Sequence, residues 1–146
     1  GRILKFMSEK SDYCHGTDIA PHMLRFAREH IGNSNVILTA TNGKQLPYGS
    51  GEFDLVYSIH VLQHIPTKSM LQDTLKEFQR VLRRDGGLAI LHFNGKISEL
   101  DREPGQFAGY RPTLENAIKM TRHVGLKLEN KVVKKNGDFY LHLSKD

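Results

Sequence analysis

The chain has 146 residues, 38% hydrophobic and 25% charged, with a single cysteine and a formal net charge of +5. That length and composition suit one ordinary globular domain with one core, and no apolar run approaches the roughly 20 residues needed to span a bilayer. Membrane insertion and an intrachain disulfide through Cys14 are excluded, and with no basic-then-apolar leader a cytosolic setting is expected.

The elements alternate without repeats or linkers. A helix is expected from about Ile3 to Glu9, then a short strand from Tyr13 to Thr17 ending at Asp18. Pro21 opens a second helix, since proline suits the first helical position; Leu24, Ala27 and Ile31 share one face before Gly32 and Asn33 stop it. Val36 to Ala40 reads as a strand, and residues 41–52 are rich in turn formers. Phe53, Leu55, Val56 and Ile59, broken by Asp54 and Ser58, read as a buried strand that opens into a polar loop ending at Pro66. In open parallel sheets ligands sit beyond the carboxyl ends of such strands, which places Ser58, His60 and His64 at a candidate crevice.

A helix from about Thr67 to Arg84 follows, with Leu71, Leu75, Phe78 and Leu82 at helical spacing. Arg80, Arg83 and Arg84 are placed in its last turn, where cations complement the helix dipole. Leu88 to Phe93 is a further buried strand. The long stretch from Asn94 to Arg111 has the length of a functional loop, Pro112 to Val124 reads as a helix, and Leu126–Val133 and Phe139–Leu143 flank Asn136-Gly137 as a hairpin. Helix and strand in alternation, closed by an antiparallel hairpin, indicate an α/β fold: a mostly parallel three-layer sandwich.

Residues 59–146 hold 15 Lys/Arg against 10 Asp/Glu, while residues 1–58 hold six of each. The excess is scattered rather than clustered with aromatics, so nucleic acid is not the expected partner. His60 and His64 lie four apart, a spacing that suits a shared metal on a helical turn. The string HVLQH lacks the glutamate of zinc proteases and no third ligand is evident, so no metal is expected.

Several segments, in register, carry a resemblance: Gly16-Thr17-Asp18-Ile19-Ala20 with Met23 and Ala27, Asn42-Gly43 with Leu46-Pro47-Tyr48, Phe53 to Pro66, and Leu82-Arg83-Arg84-Asp85-Gly86-Gly87. In this order the chain resembles the class I S-adenosylmethionine-dependent methyltransferases, a Rossmann-like family, and within it the small-molecule group of types 11 and 25. The resemblance implies S-adenosylmethionine as cofactor and a small molecule as methyl acceptor. Asp18 would hold the ribose hydroxyls, a carboxylate being able to accept two hydrogen bonds; the alternative is a cap for the following helix. Ile19 would pack on the adenine beside Met23. Asn42 would accept from the adenine amino group and Gly43 would offer its N–H to the ring, unless the pair is a plain turn. Ser58 and Ile59 would border the methionine part. His60 is the first candidate for a base facing the acceptor, with His92 second. His64 would lie near the acceptor or order the loop, and Tyr110 and Arg111 would close over the crevice and grip an anion, unless Arg111 is a solvated loop residue.

One departure stands out. The family's acidic-x-Gly-x-Gly-x-Gly loop is not in this sequence, and Gly1-Arg2-Ile3-Leu4 looks like its last glycine entering the first helix. The first, central strand is therefore expected to be missing, leaving a gap of about 9.5 Å between the strands ending at Asp18 and Ser58 and an N-terminally incomplete single domain. Two rival readings stay open: a non-catalytic binding module of the same fold, and a nicotinamide-dependent oxidoreductase, which also uses an acid after its second strand.

Overall fold

A computed structural model describes residues 1–32, 35–95 and 109–145. Where one core was expected, the chain divides into two compact units, Gly1–Pro47 and Tyr48–Asp146.

In the first unit, helix α1 (Arg2–Ser8) precedes strand β1 (Cys14–Asp18), helix α2 (Pro21–Ile31) and strand β2 (Val36–Ala40). β1 and β2 form a parallel pair running from Cys14 opposite Val36 to Asp18 opposite Ala40. Pro21 begins α2 as expected, and Gly32, at φ 66°, ends it by donating to the Arg28 carbonyl. Gly16 lets α1 rest on β1. A Cβ there would lie 2.5 Å from Leu4 Cδ2 and 2.9 Å from Leu38 Cδ2. Asn35 ties the unit together: its side chain donates to the carbonyls of Ser8 and Ser11 at 2.8 and 2.9 Å, and its own carbonyl accepts from Cys14.

The second unit contains strand β3 (Leu55–Ser58), a 3-10 turn (Leu62–His64), helix α3 (Lys68–Val81), strand β4 (Leu88–Phe93), helix α4 (Leu114–His123) and strands β5 (Leu126–Val133) and β6 (Phe139–Lys145). Its sheet order is β3-β4-β6-β5, parallel between β3 and β4 and antiparallel from β4 onward. The α/β class, the parallel pairs and the closing hairpin are those expected. No described strand precedes α1.

The sheet buries one face fully. Ala89, Leu91 and Phe93 of β4 register with Leu143, Leu141 and Phe139 of β6, all at 3% exposure or less, and share a core with Leu71 and Leu75 of α3 and Ala117 and Met120 of α4. The opposite face is half-buried at Tyr57, Ile90 and His142 and closes fully only at His92 among the described residues of β4. Each fully buried leucine contributes about 1.5–3 kcal/mol.

Two boundaries differ from the sequence reading. α3 stops at Val81 because Leu82 turns extended and bridges Phe53: Phe53 donates to the Val81 carbonyl and accepts from Arg83 N–H. Arg83 and Arg84 therefore lie outside the helix. Arg83 pairs with Asp54, which holds its guanidinium pKa above the usual value, and only Arg80 occupies the last turn. Arg80 is itself spent on structure, reaching both oxygens of Glu77 at 2.8 Å and the Tyr48 carbonyl at 2.7 Å. The last helix begins at Leu114 rather than Pro112, capped by the Thr113 hydroxyl, which accepts from Asn116 N–H.

Two substitutions test this packing by urea unfolding. Leu91→Ala should cost about 2–5 kcal/mol through the cavity it leaves. Gly16→Val should cost about 1–3 kcal/mol, because Leu4 and Leu38 must move aside.

Candidate functional site

In the first unit, the carboxyl end of β1 presents Asp18 and Ile19. Asp18 Oδ1 accepts from Ala20 N–H at 2.9 Å, which orders the turn into α2, and its second oxygen has no partner among the described residues. Ile19 is 69% exposed, an unusual placement for a branched aliphatic side chain beside a carboxylate. Gly43, at φ 75°, lies against it, since a Cβ there would come within 3.2 Å of Ile19 Cγ2. Met23 on α2 is also exposed, and Gly1 caps α1 so close to α2 that a Cβ would meet Ala27 at 3.3 Å. An apolar surface beside a half-free carboxylate suits a ligand that joins a flat ring to vicinal hydroxyls.

Asn42 differs from its expected role. Its amide oxygen accepts from both Lys44 N–H at 2.9 Å and Gln45 N–H at 3.2 Å, so both lone pairs serve the turn. Gly43 N–H donates to the Thr41 hydroxyl at 3.3 Å. The plain-turn alternative accounts for the bonds that Asn42 makes.

In the second unit, β3 ends at Ser58, which is buried and paired with Leu91 on the helix-packed face of the sheet. Ile59 is half-buried and His60 is exposed. The His60 backbone is left-handed, φ 61°, which makes it the only non-glycine residue at positive φ among those described. That conformation costs an L-residue about 1–2 kcal/mol. It is held by a hydrogen bond from His60 N–H to His92 Nδ1 at 3.2 Å, and the two rings meet edge to face at 4.3 Å.

His92 is 1% exposed, at the end of β4, and its ring also lies 4.6 Å from Tyr140. Among the described residues its Nε2 has no hydrogen-bond partner, and Asp138 Oδ2 lies 3.6 Å away. Burial first, and then the neighbouring His60, lower the His92 pKa, with Asp138 opposing both. Its burial sets His92 apart from the exposed His60 as a base candidate. The sequence offered it as the second base candidate, and held no local sign of Asp138, 46 positions away.

His64 is exposed, with Nε2 3.0 Å from Gln63 Nε2. Tyr110 is 2% exposed and belongs to the core, so its ring does not close over a crevice as expected. Its N–H donates to the Ile65 carbonyl and Gly109 N–H to that of Gln63, both at 2.8 Å, which pins residues 109–110 to the loop after β3. Gly109 is required there because a Cβ would meet the Ile65 carbonyl at 2.3 Å. Arg111 is half-buried, and its Nε, like Gln63 Oε1 and Asn94 Oδ1, is buried without a hydrogen-bond partner among the described residues. A solvated loop arginine does not describe it. Most of the long loop after β4, residues 96–108, lies outside the described residues. Among the described residues no three His, Cys, Asp or Glu side chains gather to hold a metal ion, and no helix is long and apolar enough to cross a membrane.

The fold is that of the Rossmann-like α/β proteins. Solved structures share it at low identity: a Pyrococcus horikoshii protein, PH0226, with a TM-score of 0.81 at 20% identity over 100% of this chain and 77% of its own, and an S-adenosylmethionine-dependent methyltransferase from Clostridium acetobutylicum, 0.82 at 15% over 99% and 80%. A third, 1,6-didemethyltoxoflavin-N1-methyltransferase from Burkholderia thailandensis, solved with its namesake ligand and S-adenosylhomocysteine, scores 0.80 at 16% over 99% and 66%. Residues 1–90 match the family model described as a methyltransferase domain, and the chain belongs to that family. A candidate methyltransferase of Encephalitozoon cuniculi is 33% identical over 98 residues, and YqeM of Bacillus subtilis, another candidate methyltransferase, 30% over 103. These matches cover 67% and 68% of this chain but only 42% of each relative's length.

Two predictions follow from the left-handed residue and the buried imidazole. In urea unfolding, His60→Gly should stay within about 1 kcal/mol of the parent or exceed it, whereas His60→Val should lose about 2 kcal/mol or more, since a branched side chain resists φ 61°. His92 binds its proton more weakly folded than unfolded. Its contribution to stability is therefore complete above about pH 6.5 and lost as pH falls through the lower folded value; a His92→Phe variant should lack that part of the acid-side decline.

Proposed function

We propose that this chain carries the cofactor-binding and acceptor-facing parts of an S-adenosylmethionine-dependent methyltransferase that acts on a small molecule, and that both compact units belong to one methyltransferase domain. Family membership supports the reaction class, and the matched residues 1–90 run across the boundary between the units. The observation that carries the cofactor reading is the half-free Asp18 carboxylate beside the exposed Ile19 and the close-lying Gly43. Those groups fit an adenosine: a carboxylate oxygen for ribose hydroxyls and an apolar surface for the base.

S-adenosylmethionine, when bound, supplies a methyl group already activated by a positive sulfur. The work left to the chain is alignment and, for an acceptor that must lose a proton, a base. Asp18 would hold the ribose, with Ile19 and Met23 against the base and Gly1 at the start of α1 allowing close backbone approach. Ser58 and Ile59 would border the amino-acid end. His60, exposed and fixed in a left-handed turn, would take the acceptor's proton on its ring, while His64 and the Arg111 guanidinium would meet the acceptor itself. The Burkholderia enzyme, solved with 1,6-didemethyltoxoflavin bound, supports a small acceptor.

Calorimetric titration with S-adenosylmethionine and S-adenosylhomocysteine tests this reading. Binding of both is expected, with Asp18→Ala weakening S-adenosylhomocysteine by about 10- to 100-fold, the cost of one or two charge-assisted bonds. No detectable binding to the parent protein would remove the methyltransferase reading. Binding unchanged in Asp18→Ala would remove the ribose assignment alone.

A further inference from the structure

We infer that His92 and Asp138 form a positioning relay for His60, in which the β5–β6 hairpin tip holds the His92 imidazole so that its Nδ1 accepts the His60 N–H and fixes the left-handed backbone that aims the His60 ring. The relay stands on geometry within the second unit. Its bearing on methyl transfer rests on the reading of His60 given above.

The constraint is one of proton counting. A neutral imidazole has one N–H and one lone pair in the ring plane. The bond from His60 N–H to Nδ1, 3.2 Å, needs the lone pair at Nδ1, so the proton must sit on Nε2. Nε2 faces Asp138 Oδ2 at 3.6 Å, a carboxylate that favours an N–H there over a lone pair. The carboxylate is itself held: Asn136 Nδ2 donates to the same Oδ2 at 2.9 Å, and Asp138 N–H returns a bond to Asn136 Oδ1 at 3.2 Å. Gly137, at φ 88°, lets the tip turn tightly enough to bring these two residues together.

The ring has little freedom besides. It lies between His60, at 4.3 Å, and Tyr140, at 4.6 Å, with Lys134 Nζ 5.8 Å from the Tyr140 ring. The titratable and charged groups around His92 are thus His60 from the loop after β3, and Asp138, Tyr140 and Lys134 from the hairpin. Protonation of His92 fills Nδ1 and abolishes the acceptor for His60. The left-handed turn at His60 then loses the bond that offsets its cost, so the relay releases the loop in acid.

The test uses histidine tautomers and amide exchange, read by NMR on ¹⁵N-labelled protein. In the parent, His92 should carry its proton on Nε2 above pH 7, and the His60 amide should lose protection in step with His92 titration. Asp138→Asn keeps an acceptor oxygen but removes the charge, so the tautomer should persist while His92 titrates at lower pH, a change that a purely structural hairpin residue would not produce. His92→Phe keeps a ring but has no acceptor, and should speed His60 amide exchange by about tenfold, the worth of one hydrogen bond, while strands β4 and β6 stay protected. A parent with the proton on Nδ1 would overturn the relay. So would His60 exchange unchanged in His92→Phe, or His92 titration unmoved by Asp138→Asn. S-adenosylhomocysteine binding, measured alongside, separates the two readings: failure to bind would remove the cofactor assignment and leave the relay intact.

Discussion

Strand β4 has a partner on each edge, and the larger unit depends on that. It runs parallel to β3 and antiparallel to β6, so its backbone groups are paired on both sides and its core face can be wholly apolar. A central strand cannot leave N–H or C=O groups unpaired in a buried sheet. The hairpin is what satisfies β4 on its second edge, and the leucines of β6 complete the layer against α3 and α4. The same pairing carries the tip of the hairpin to the end of β4, where the single buried histidine sits.

The candidate site residues gather at strand ends for a related reason. A strand interior is committed to its neighbours, but the residue just past the end has a free backbone and a side chain with no fixed partner. Asp18 divides its carboxylate between the turn to Ala20 and an unpartnered oxygen. His60 adopts a conformation that its own chemistry disfavours and is held there by an imidazole 32 residues away. At Asp18 the bond is the local one that aspartate favours in a turn, whereas at His60 local propensity is overridden by a specific hydrogen bond.

Much of the fold was legible in the order of apolar runs and turn residues. Pro21, Gly32 and Asn136-Gly137 mark boundaries because their backbone constraints are intrinsic, and the α3 stripe of Leu71 and Leu75 follows from helical periodicity. What misled was any boundary set by a distant partner. Leu82 continues the helical pattern yet leaves the helix to pair with Phe53, and this carries Arg83 and Arg84 out with it. Tyr110 reads as a loop aromatic but is drawn into the core by backbone bonds to the loop after β3. Asn42 offers an amide that sequence alone leaves free, and the turn it starts consumes it.

The sequence by itself determined the α/β class, the alternation of elements, the hairpin and the family, because these rest on residue type and spacing along the chain. It also singled out His60 by its place after a strand, and Asp18 and Ile19 through the family resemblance. Only the tertiary structure decided which polar groups are spent and which remain: that Asn42 is committed to a turn, that Tyr110 is core, and that His92 and Asp138 stand behind His60. Those outcomes depend on hydrogen bonds between residues far apart in the chain, and a lone pair is claimed only once its partners have been brought within about 3 Å.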